Sequence, residues 1–231
     1  MLTALSLLLF SCGQNPQQQD NETTEASAQQ SQNTEAKTEN EDRKVILFFG
    51  NSLTAGYGLD EEEAYPALIQ DKLDSLGLHY QVINAGLSGE TTASGDSRLE
   101  WVLERQPVDI FVLELGANDG LRGINPEETR RNLISMIRQV EEKYPEAKII
   151  LSGMMVPPNM GPEFSEQFRE VFPEVAQEEE VMLIPFLLEG VAGEPELNQA
   201  DGIHPTAEGQ EIVAENVWQV LQNAIEEESS M

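Results

Sequence analysis

The chain has 231 residues, 39% of them hydrophobic, enough for one ordinary domain and a tail. Its 42 acidic against 13 basic residues leave a net charge of −29, which excludes a binder of duplex nucleic acid, because that needs Lys and Arg to displace counterions. The same excess opposes an electrostatic grip on anionic lipid and reads as a solvated acidic surface.

The first segment, Leu2 to Ser11, is an apolar run too short to span a bilayer. It reads as the hydrophobic stretch of a signal peptide. It ends in Leu9-Phe10-Ser11-Cys12, which resembles a bacterial lipoprotein lipobox, so lipidation of Cys12 is expected. Cys12 is the only cysteine, which rules out an intrachain disulfide. The histidines are His79 and His204, so the clusters of a zinc site are missing and no metal is expected. Residues 13–43 are rich in Gln, Asn, Glu, Thr and Ser. Such a segment cannot bury enough surface to offset its ordering entropy and reads as a disordered polar linker. The expected organisation is a lipoprotein-type signal segment over 1–12, this linker over 13–43 and a folded domain over 44–231. The expected location is the bacterial cell envelope, with the domain anchored to a membrane through lipid on Cys12.

From Lys44 the pattern changes. Short apolar runs predict strands over Val45–Phe49, Tyr80–Asn84, Ile110–Leu115, Lys148–Leu151 and Val181–Pro185. Helix-length amphipathic stretches predict helices over Ala64–Leu76, Thr92–Arg105, Glu127–Lys143, Pro162–Glu179 and Ala207–Ile225. Strands that are continuously apolar rather than alternating belong to a sheet covered on both faces. The alternation of the two kinds predicts an α/β fold, a three-layer, doubly wound sandwich around a mostly parallel five-stranded sheet. In such sheets ligands bind beyond the carboxyl ends of the strands.

Four short segments fall at those ends. The first strand runs into Gly50-Asn51-Ser52-Leu53, a serine presented by a glycine turn. A serine so placed can serve as a nucleophile once a base takes its proton, although such turns also bind phosphate or cap helices. After the second strand comes Ser88-Gly89-Glu90-Thr91, where Gly89 offers an open backbone N–H. After the third comes Gly116-Ala117-Asn118-Asp119, where Asn118 can aim its amide into the same cleft or merely form a turn. Asp201-Gly202-Ile203-His204-Pro205 opens the last helix with an acid and an imidazole three residues apart. His79 has no neighbouring acid or glycine turn and reads as structural or exposed.

In chain order these segments resemble the SGNH hydrolases, a family named for its Ser, Gly, Asn and His. The resemblance covers about Lys44 to Gln222. Within the family, Glu114 to Gly123 and Ser88-Gly89-Glu90-Thr91-Thr92 are most similar to the thioesterase I/lysophospholipase L1/arylesterase branch. The resemblance implies a flavodoxin-like SGNH fold and a serine esterase without cofactor. Ser52 would be the nucleophile, His204 the base and Asp201 its orienting acid. Ser52, Gly89 and Asn118 would supply the oxyanion hole. Asn51 departs from the pattern, which usually has Asp there, and keeps the shape without the charge. The substrate implied is a small acyl ester, thioester or lysophospholipid. Met154, Val156 and Pro157, with the segment Leu187–Leu197, are candidates to line an acyl groove. The rival readings are a deacetylase of polysaccharide or small esters on the same scaffold, and a non-catalytic glycan-binding lipoprotein.

Overall fold

In the computed structural model residues 43–229 are described. The expected signal segment, Cys12 and all of the expected linker but Arg43 lie outside the described residues. The strands are β1 (Lys44–Gly50), β2 (Tyr80–Gly86), β3 (Ile110–Glu114), β4 (Lys148–Ser152) and β5 (Met182–Ile184). The helices are α1 (Ser52–Ala55), α2 (Tyr65–Ser75), α3 (Thr92–Leu103), α4 (Ala117–Leu121), α5 (Pro126–Lys143), α6 (Pro162–Glu178) and α7 (Ala207–Ser229).

The sheet runs β2-β1-β3-β4-β5, and every pairing is parallel, where the sequence had predicted mostly parallel. Its centre is apolar on both sides, as a doubly covered sheet requires. Phe48 meets Tyr65 of α2 edge to face at 5.4 Å, while the neighbouring Phe49 carries the Arg98 guanidinium of α3 over its ring. Successive side chains of β1 therefore serve opposite layers. Helices α2 and α7 pack together on one face, and α3, α5 and α6 pack in series on the other. Asn125 caps α5 by accepting from the Glu127 N–H, with Pro126 at its first position and Glu127 and Glu128 in its first turn. These choices suit the exposed N–H groups and positive pole of a helix start.

Two elements depart from the sequence reading. Helices α1 and α4 were expected as turns, and each is a single turn of helix beginning just after a strand. Four or five residues are too few to carry a helical period, and Gly, Asn and Ser dominate both. The other boundaries shift by up to four residues.

The strand order fixes where a site can form. The chain leaves β1 for β2 on one side and returns to β3 on the other. Beyond the carboxyl ends of β1 and β3 the connections diverge and leave a crevice. Helices α1 and α4 open directly onto it.

Candidate active site

Register brings the carboxyl ends together: Gly50 pairs with Gly86 on one side and Glu114 on the other. The next residues turn into α1, with Asn51 as its cap. Asn51 Oδ1 accepts from the Leu53 N–H at 2.9 Å. Ser52 is the first residue of that helix and is 8% exposed, so its hydroxyl reaches the surface only through the crevice. Ser52 Oγ lies 2.9 Å from His204 Nε2, across 152 residues of sequence.

The turn before α7 holds the imbalance that makes this contact useful. Asp201 Oδ2 accepts from His204 Nδ1 at 2.7 Å, which leaves the Nε2 lone pair facing the Ser52 hydroxyl. Asp201 Oδ1 accepts from the Ile203 and His204 N–H groups at 3.0 and 3.1 Å. The His204 ring first, then the Ile203 N–H, holds the Asp201 carboxyl down at about 2. Tyr57 packs against the His204 ring at a tilt of 38°, with centroids 4.6 Å apart. His79, by contrast, is exposed, and its carbonyl accepts from the Lys44 N–H in the sheet margin.

The loop after β2 and helix α4 form the facing wall. Gly89 sits at φ +82°, a conformation that suits a residue without Cβ. Its carbonyl accepts from Arg122 Nη2 at 2.9 Å, and the Glu90 carbonyl accepts from Asn118 Nδ2 at 3.0 Å. Glu90 is 4% exposed and is gripped by Arg98 through Nε at 2.7 Å and Nη2 at 2.6 Å. Buried Asp119 accepts from the Thr92 N–H at 2.9 Å, tying α4 to the start of α3. The Asn118 amide has a second N–H beyond the one given to Glu90. The Ser52 and Gly89 backbone N–H groups have no acceptor among the described residues, and Ser52, Gly89 and Asn118 all line one cavity.

The cavity measures about 540 Å³. Ser52, His204, Gly89 and Asn118 line it together with Leu121, Met155 and Ile203. The expected groove residues Met154, Val156 and Pro157 all line it. From Leu187–Leu197, Leu188, Ala192 and Gly193 face it, whereas Leu187 and Val191 are buried in the core. Among the described residues no group of three or more His, Cys, Asp and Glu side chains could hold a metal ion.

Residues 48–212 match the GDSL-like lipase/acylhydrolase family. The chain belongs to that family. It is 42% identical over 178 residues to the esterase TesA of Pseudomonas aeruginosa, spanning 77% of this chain and 88% of that one. It is 36% identical over 185 residues to thioesterase 1/protease 1/lysophospholipase L1 of Escherichia coli K12, spanning 80% of this chain and 86% of that one. Among solved structures it resembles the psychrotrophic esterase EstA from Pseudoalteromonas sp., inhibited by monoethylphosphonate, with a TM-score of 0.75 at 32% identity. That match covers 79% of this chain and 99% of the other. As a GDSL-like hydrolase with esterase and thioesterase relatives, the chain is a serine esterase.

Sequence reasoning gave no role to three groups of this GDSL-like site. Tyr57 and the Arg98–Glu90 pair carry no local signal, because their partners come from distant segments. Glu114 did carry one, as a charge inside the apolar run Ile110–Leu115. It is wholly buried under α1, accepting from Asn51 and Thr54. Burial pushes its carboxyl from 4.5 up to about 7, against the pull of those donors.

A pH dependence of stability follows. Between about pH 4.5 and about pH 7 the folded chain keeps a proton on Glu114 that the unfolded chain has released. Stability from this group is therefore full at the acid end and declines as pH rises. Urea unfolding from about pH 4 to about pH 8 should show the wild type losing stability relative to Glu114→Gln, by a few kcal/mol across the window. A constant difference between the two would show that the carboxyl titrates alike in both states.

Proposed function

We propose that Ser52, His204 and Asp201 are the catalytic triad of this esterase, and that its substrate carries a fatty or aryl acyl group lodged in the apolar cavity. The observation that carries the reading is the continuous relay from Asp201 Oδ2 through His204 to Ser52 Oγ in the lining of that cavity. Ser52 Oγ attacks the acyl carbonyl carbon while its proton passes to His204 Nε2. The carbonyl oxygen becomes an oxyanion, which the Ser52 and Gly89 N–H groups and the Asn118 amide stabilise. Collapse breaks the ester or thioester bond, and His204 returns the proton to the departing alcohol or thiol. Water then attacks the acyl-enzyme, giving a proton to His204, which passes it to Ser52 Oγ as the acyl–oxygen bond breaks and the acid leaves. Asp201 holds the imidazole in the right tautomer and offsets its charge while it is protonated.

Support for the substrate class is the lining. Leu121, Met154, Met155, Val156 and Leu188 give an acyl chain apolar surface to bury, and methionine side chains adapt to varied chains. With the TesA and lysophospholipase relatives in view, lysophospholipids and fatty or aryl esters are favoured over acetylated polysaccharide. We extend the proposal to the tether: lipid on Cys12 would hold the domain at a bacterial envelope membrane. The support is the Leu9-Phe10-Ser11-Cys12 segment and the polar linker after it.

Two variants test the site assignments. Ser52→Ala should abolish labelling by a serine-directed phosphonate. Asn118→Ala should label slowly and lose about 10²–10³ in kcat with little change in KM, because its bond strengthens only as the oxygen gains charge. A labelled Ser52→Ala protein, or Asn118→Ala at wild-type kcat, would remove that residue from the site.

In a series of aryl esters of increasing chain length, kcat/KM should rise from acetyl to medium chains as methylenes enter the cavity. A preference for acetyl esters would favour the deacetylase. Radiolabelled palmitate fed to the native host should enter the full-length protein but not Cys12→Ser, and an unlipidated wild-type protein would end the tether proposal.

A further inference from the structure

Glu114 occupies a place where a central parallel strand ordinarily carries an apolar side chain. It is 0% exposed and lies beneath the nucleophile's helix. Its Oε1 accepts from Asn51 Nδ2 at 2.7 Å. Its Oε2 accepts from the Asn51 N–H at 3.1 Å and the Thr54 hydroxyl at 2.8 Å. Tyr65 OH lies 2.8 Å from Thr54 Oγ1, and since the Thr54 proton points to Glu114, Tyr65 is the donor of that pair. Every group directed at Glu114 is thus a donor, an environment that suits the acceptor-only carboxylate it becomes once its proton leaves, near pH 7. Space for it is provided by Gly50, where a Cβ would fall 2.6 Å from Glu114 Oε2 and 2.1 Å from Thr54 Oγ1.

The arrangement reaches Ser52 through Asn51. A primary amide has a donor end and an acceptor end. With its donor end fixed on Glu114, its acceptor end must face α1, where it meets the Leu53 N–H at 2.9 Å and Ser52 Oγ at 3.3 Å. In a helix of four residues that cap governs the placement of the first residue, Ser52. A neutral amide oxygen at 3.3 Å also competes weakly for the Ser52 proton against His204 Nε2 at 2.9 Å.

We propose that Glu114 is a positioning residue for Ser52, selecting the one orientation of the Asn51 amide that caps α1, and that Asn51 and Glu114 work as a matched amide–carboxylate pair. The proposal rests on Ser52 being the nucleophile. An Asp at position 51 would set two carboxyl groups face to face, which only a shared proton reconciles. Few other charges face this pair. β1 and α1 contribute neutral Gly50, Asn51, Ser52 and Thr54, α2 contributes Tyr65, and α7 the neutral Gln210. Beyond Ser52 stands the His204–Asp201 pair.

The test is a reciprocal exchange. Steady-state turnover of an aryl ester is measured from about pH 6 to about pH 9 for Glu114→Gln, Asn51→Asp and the double variant, with phosphonate labelling and thermal unfolding in parallel. Glu114→Gln sets an NH₂ against existing donors whichever way it flips, so kcat should fall about tenfold or more with KM within about twofold. Asn51→Asp should lose activity toward alkaline pH, as the shared proton leaves, where the wild type does not. The double variant restores one amide and one carboxylate in exchanged places, and should return kcat to within about threefold of wild type with the wild-type pH profile.

Folded Glu114→Gln with wild-type kcat, or a double variant no better than Glu114→Gln, would overturn the proposal. If Glu114→Gln does not fold, Asn51→Asp decides: a wild-type pH profile in that variant overturns it. Absence of label on Ser52 in the wild type would instead remove the nucleophile assignment, and this proposal with it.

Discussion

Gly50 stands opposite Glu114 across the parallel pairing of β1 and β3, and the catalytic edge is built outward from that register. On one side the missing Cβ admits a carboxylate and a threonine hydroxyl under the chain as it turns. On the other, Gly50 faces Gly86, and the Leu87 N–H returns to the Gly50 carbonyl at 2.8 Å, which starts the loop carrying Gly89. A slip of one residue between β1 and β3 would send Glu114 to the opposite face of the sheet and leave a buried charge without partners. The cost of that error makes the register strongly specified. The same pairing that orders the sheet therefore orders the proposed nucleophile.

Much of this was legible in the chain because the signals are local. Five continuous apolar runs separated by amphipathic stretches give the layered α/β fold, and the strand ends locate the crevice. Asp201 and His204 share one short turn with Gly202 and Pro205, so their association is visible without any knowledge of the fold. What escaped reading depends on register or on long-range packing. Helices α1 and α4 are too short to show a period. Glu114 is visible as a charge within an apolar strand, but its partners Asn51 and Thr54 lie about sixty residues away. Tyr57 meets His204, and Arg98 supports the Gly89 loop through Glu90, only after the layers have closed.

The facing wall follows a different logic from the nucleophile's side. There the supporting groups hold backbone carbonyls rather than the donors themselves. Arg122 holds the Gly89 carbonyl and Asn118 the Glu90 carbonyl, which fixes the loop around Glu90, while the Gly89 N–H, in the peptide before, has no acceptor among the described residues. Donors fixed before the reaction need no reorganisation when charge develops, which is where an oxyanion hole gains its advantage. Around this wall the chain carries a net charge of −29. Its long-range field disfavours approach of anionic molecules and leaves neutral or zwitterionic esters as the better visitors to an apolar cavity.

The distance in sequence between Ser52 and His204 has a consequence for the life of the chain. Ser52, Gly89 and Asn118 belong to the earlier part of the described chain, whereas the imidazole comes only with the turn before α7. That turn is seated by the docking of α7, through Val213, Val217, Trp218 and Leu221, onto the finished sheet. In an extended chain Ser52 therefore has no imidazole beside it and is an ordinary, unreactive serine. The contact between His204 and Ser52 forms only once α7 has settled on the sheet, so the proposed relay is a product of the completed packing and of no local segment.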